Sequence, residues 1–97
     1  MKSKKYIIES AVSTLKLESD AILNLINHIN DDFVAVVQAI LNSKGRVIVT
    51  GIGKSAIIAQ KIVATFNSTG TPAIFMHAAD AVHGDLGMIQ KDDIVMC

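Results

Sequence analysis

Apolar residues recur through the first forty positions at a helical step. Ile22, Leu25, Ile26, Ile29, Phe33, Val36, Val37 and Ile40 keep to the i, i+3, i+4, i+7 rule. Asn30-Asp31-Asp32 interrupts the run with three good N-cap formers. The pattern therefore predicts two helices, roughly 5–29 and 32–42, or a single bent one. Ser43-Lys44-Gly45 supplies the stop, with Gly45 suited to the left-handed position after a helix.

The pattern then changes. Arg46-Val47-Ile48-Val49-Thr50 is β-branched and does not alternate, as expected of a strand covered on both faces. Gly51-Ile52-Gly53 is a turn, and 54–67 returns to helical period, with Ile58, Ile62 and Phe66 on one stripe and Ile57 and Ala64 beside it. Ser68-Thr69-Gly70-Thr71-Pro72 ends that helix. Ala73-Ile74-Phe75-Met76 reads as a second strand, 78–84 as a short helix, Leu86-Gly87-Met88 as loop, and Asp93-Ile94-Val95-Met96-Cys97 as the start of a third strand. Strands alternating with helices imply right-handed crossovers and a parallel sheet, the α/β class. The expected organisation is one domain, a helical lead over 1–43 followed by βαβ(α)β over 44–97. A buried strand as the last element would leave an open apolar edge, so the parent protein is expected to continue.

Composition removes several function classes. The 97 residues carry nine Lys+Arg against nine Asp+Glu, so no basic surface for nucleic acid or anionic lipid is expected. At 51% hydrophobic residues the chain is not intrinsically disordered. The single cysteine, Cys97, rules out an intrachain disulfide and a four-cysteine zinc site. No apolar run reaches bilayer-spanning length, and only Tyr6-Ile7-Ile8 separates the basic start from Glu9, too little for a signal peptide. A cytoplasmic location is the expectation.

In doubly wound folds ligands sit at the carboxyl ends of strands, where each turns into a helix. The first such turn is Thr50-Gly51-Ile52-Gly53-Lys54-Ser55-Ala56. A phosphate-binding P-loop needs glycine where Ile48 stands, which rejects that reading. Gly51-x-Gly53-x-x-Ala56 satisfies the dinucleotide fingerprint, but the next strand ends in Met76-His77 without the acid that would hold a ribose. A third reading starts from Lys54. A cation in the first turn of a helix opposes the macrodipole, and a bound anion would reverse that sign. The alternative is a solvated lysine.

The segment from His77 to Met88 holds His77, Asp80, His83 and Asp85. Proton handling suits histidine near neutral pH. A metal site is the competing reading, although an i, i+6 pair is not a standard helical chelate. The blander reading is a capping or hydrogen-bonded loop histidine, and His28 is assigned to that class.

Gly51-x-Gly53-Lys54-Ser55, Ser68-Thr69-Gly70-Thr71-Pro72 and His83-Gly84-Asp85-Leu86-Gly87-Met88, in this order, resemble the sugar isomerase (SIS) domain of arabinose 5-phosphate isomerases. The resemblance covers about 44–95. It implies a Rossmann-like, three-layer αβα sandwich with a parallel sheet. It also implies an aldose–ketose isomerase that interconverts D-ribulose 5-phosphate and D-arabinose 5-phosphate, feeding octulosonate and lipopolysaccharide synthesis. By the same resemblance Lys54 and His83 are catalytic, Gly53, Ser55, Gly70, Thr71 and His83 contact the substrate, and His77 admits a divalent metal such as zinc. No cofactor is required, and a homo-oligomer, dimer or tetramer, is implied. This chain departs from the family at Ala56-Ile57, where Gly-His is common, and at Ala78-Ala79-Asp80, where Pro-Gly-Glu is common. The family's Ser-Asn-Ser-Gly-Glu loop would begin just beyond Cys97, so the 97 residues alone are expected to turn over little substrate. The alternative function is a non-catalytic sugar-phosphate sensor.

Overall fold

The structure is a computed structural model that describes residues 3–82 and 84–97. Helix α1 spans Lys4–Asn24, capped by Ser3, whose Oγ accepts the amide of Tyr6 at 3.2 Å. It tightens into one turn of 3-10 helix at Leu25–His28. Asn30 then starts a new helix, its Oδ1 accepting the amides of Asp32 (3.1 Å) and Phe33 (3.3 Å). The helical lead is therefore two helices, because an N-cap side chain satisfies donors that a continuous helix would bond internally. Helix α2 runs Asp31–Asn42, with Asp31 and Asp32 favourably placed in its first turn.

The chain divides into two compact units, 1–37 and 38–97. The division falls inside α2 rather than after it, since Ile40 packs against the core of the second unit. In the first unit no residue of α1 is buried.

The second unit is built on three parallel strands, β1 (Val47–Gly51), β2 (Ala73–His77) and β3 (Ile94–Met96), in the order β2-β1-β3. This is the α/β architecture with a parallel sheet that the alternating pattern implies. Val47, Val49 and Ala73 face helix α3 (Lys54–Ser68) and form the core with Ala59, flanked by Ile62, Val63, Phe66, Phe75 and Met96. The expected stripe of α3 holds at Ile62 and Phe66, which pack against the core, and fails at its first turns. Ala56 and Ala59 are 5% and 3% exposed, whereas Ile57 and Ile58 are 69% and 62% exposed. Two alanines without bulk let the first half of the helix lie close on the sheet, and the larger Ile62, Val63 and Phe66 pack beside the core further along.

Gly45 also differs from expectation. Its φ is not positive. A Cβ there would collide with the backbone carbonyl of Asp92, so close approach of two chain segments demands the glycine. The left-handed glycine lies at the end of α3 instead. Gly70 has φ +97°, and the amide of Thr71 donates to the Phe66 carbonyl at 2.8 Å, a Schellman closure. Asn67 secures the start of β2, donating to the Ala73 carbonyl (3.0 Å) and accepting the Ala73 amide (2.9 Å). A short helix, α4 (Ala78–Val82), follows β2, and a 3-10 turn spans Asp85–Met88 where a loop was expected.

Candidate functional site at the carboxyl edge of the sheet

Strand β1 delivers the chain to α3 through two glycines with different duties. At Gly51 an added Cβ would lie 3.0 Å from the backbone carbon and oxygen of Ser55, so the first turn of α3 stands directly over this residue. At Gly53, φ is +60° and ψ −129°, a backbone that side-chain-bearing residues avoid. Gly53 occupies the N-cap position and offers no side chain to cap the helix. The opening of α3 thus lacks the internal acceptor that Ser3 gives α1 and Asn30 gives α2. Gly53, Lys54 and Ser55 are all exposed, with Lys54 the first residue of the helix.

Register brings β2 to the same place. Gly51 pairs with His77, and laterally paired residues of parallel strands point to one side of the sheet. That side is the one covered by α3, since the preceding pair on the same face, Val49 and Phe75, packs into the core beneath that helix. The Lys54-Ser55 turn and the His77 ring therefore share the carboxyl edge and the same face. The His77 ring meets Phe75 edge-on, centroids 6.2 Å apart and planes at 84°. Its Nδ1 accepts the amide of Ala79 at 3.1 Å, which makes His77 the N-cap of α4.

A cavity of ≈ 200 Å³ opens between β1, β3 and the start of α3, with Thr50 and Ser55 among the residues that line it. Thr50 Oγ1 is buried and has no hydrogen-bond partner among the described residues. Sequence reasoning gave Thr50 no role, because a threonine at a strand end reads as β-propensity alone.

The other expected site residues fall elsewhere. Gly70 and Thr71 lie just beyond the far end of α3, a helix of 15 residues that rises about 1.5 Å per residue from Lys54. Within one chain they stand at the amino edge of the sheet, and the structure does not bring them to Lys54. His83 lies outside the described residues. Asp80 is exposed in the first turn of α4.

The fit of a divalent metal at His77 is poor. The Ala79 amide takes the lone pair of Nδ1, which leaves the proton of a neutral ring on Nε2. Among the described residues no group of three or more His, Cys, Asp or Glu side chains is arranged to hold a metal ion.

Comparison with known proteins identifies the family and the fold. The family model described as "SIS domain" matches residues 40–97. The chain is 53% identical over 89 residues to arabinose 5-phosphate isomerase KdsD of Pseudomonas aeruginosa, covering 92% of this chain and 27% of that protein. It is 47% identical over 90 residues to arabinose 5-phosphate isomerase GutQ of Escherichia coli K12, covering 93% and 28%. Among solved structures, an Escherichia coli CFT073 protein in complex with arabinose 5-phosphate superposes with a TM-score of 0.90 at 39% identity, covering 97% of this chain and 50% of that one. A Listeria monocytogenes protein described as a putative sugar-phosphate isomerase gives 0.89 at 34% identity, covering 98% and 50%. The chain spans about a quarter of the length of the curated relatives it matches.

Proposed function

Because the chain belongs to the SIS domain family, we propose that it forms the N-terminal part of an aldose–ketose isomerase acting on a sugar phosphate. The reaction is conversion of D-ribulose 5-phosphate to D-arabinose 5-phosphate, which supplies octulosonate for lipopolysaccharide. The observation that supports it most is the shared edge at β1 and β2. The uncapped start of α3, which carries Lys54, and the His77 imidazole stand at one edge, where an anionic sugar would sit.

Isomerisation removes a proton from C1 of the ketose and returns one to C2 through an enediol. Negative charge develops on the oxygens of that intermediate. Lys54, beside the open N–H groups of α3, stabilises that charge or the phosphate. Gly53 and Ser55 offer backbone and hydroxyl donors at the same turn. His83 positions the open-chain sugar or shuttles its hydroxyl proton. The working protein is a cytoplasmic homo-oligomer.

The test supplies ribulose 5-phosphate to the full-length protein in D2O. Arabinose 5-phosphate carrying solvent deuterium at C2 is expected. Tight binding of the sugar phosphate without turnover would replace this reading with the sensor.

A further inference from the structure

The entry into α4 decides which nitrogen of His77 carries the proton. The Ala79 N–H points at Nδ1 over 3.1 Å, and a donor needs a lone pair opposite it. The neutral ring is therefore the Nε2–H tautomer. A metal on Nε2 would drive that proton to Nδ1, where two N–H groups would face each other and the cap of α4 would be lost. Phe75, edge-on at 84°, stands against the ring from within its own strand. The neighbouring position on β1 is Gly51, which has no side chain, and the Lys54-Ser55 turn stands over it.

From this we propose that His77 is a substrate-contacting residue, a neutral donor whose Nε2–H serves an oxygen of the sugar phosphate, and not a metal ligand. The proposal rests on the isomerase reading above. One ring would thus do two jobs: Nδ1 starts α4, and Nε2 keeps the proton that is offered to the ligand. The two are separable by substitution. In His77→Asn the side-chain oxygen still accepts the Ala79 amide, asparagine being among the best N-caps, but no donor reaches as far as Nε2. His77→Gln restores a donor at about that reach.

The experiment uses the full-length protein with arabinose 5-phosphate as probe. Calorimetry should show His77→Asn weakened about ten- to a hundredfold, the range for a hydrogen bond to a charged group. Its melting temperature should stay unchanged, and His77→Gln should recover part of the affinity. Long-range ¹H–¹⁵N spectra in the presence of a chelator should show His77 as the Nε2–H tautomer, unmoved by stoichiometric zinc. Wild-type affinity in His77→Asn, an Nδ1–H tautomer, or zinc that shifts both ring nitrogens and tightens sugar-phosphate binding would each overturn the donor role. Failure of the unsubstituted protein to bind arabinose 5-phosphate would overturn the isomerase reading and the donor role together.

Discussion

Arg46 and Asp93 meet at the amino ends of β1 and β3 in a two-pronged contact, Nη2 to Oδ2 at 2.9 Å and Nε to Oδ1 at 3.3 Å. The backbone amides of Arg46 (2.9 Å) and Gln90 (2.7 Å) also donate to the same carboxylate, whose side chain is 1% exposed. Arg46 Nη2 reaches the Met88 carbonyl as well, at 3.0 Å, so one guanidinium ties the 3-10 turn at Asp85–Met88 to the sheet. The Arg46 side chain, then the two amides, hold the Asp93 carboxyl well below the usual carboxylate range. Asp93 in turn raises Arg46.

Asp93→Asn is expected to lower the melting temperature by several degrees at neutral pH, because an amide group would meet donors built for a carboxylate. The pH dependence has a definite sign. A carboxylate with a lowered folded pKa stabilises fully above its unfolded value of about 3.9, and that contribution is lost as pH falls toward the folded value. The stability gap between the unsubstituted protein and Asp93→Asn should be widest near pH 7 and narrow below about pH 4. A gap that stays constant into acid would contradict the assignment.

Gly53→Ala is expected to cost on the order of 1–3 kcal/mol in denaturant unfolding, since φ +60° with ψ −129° strains any side-chain-bearing residue. Open space surrounds the position, so the loss would come from the backbone and not from a clash. An unchanged unfolding midpoint would mean that the turn takes another shape.

Asn67→Ala removes both hydrogen bonds at the start of β2 and should cost about 1–3 kcal/mol, with the Ala73 amide and carbonyl left partly covered. Amide hydrogen exchange provides a local readout. Faster exchange at Ala73 than at Phe75 is the expected signature.

Lys54→Met in the full-length protein should reduce kcat by about a hundredfold or more, the scale of losing one charge-stabilising group. The melting temperature should hold or rise, because the substitution removes a cation from the positive end of α3. Unchanged turnover would discard Lys54 from the site.

The residue pattern alone determined the order of elements, the parallel sheet, and the glycine turn between β1 and α3. These depend on local periodicity and on backbone freedom at Gly53, which neighbouring residues express without long-range partners. The tertiary structure decided what depends on register and on distance across the sheet. It turned Ala56 and Ala59 inward and left Ile57 and Ile58 outside, since the close approach of the first half of α3 to the sheet selects small residues there. It moved the need for Gly45 from conformation to contact with Asp92. Arg46 and Asp93, 47 residues apart, became partners only when β3 docked beside β1. Gly70 and Thr71 were carried to the edge away from Lys54, because α3 runs back along the sheet between them. And His77, one polar residue among several in the chain, acquired a defined tautomer from the amide of Ala79, a direction that spacing does not encode.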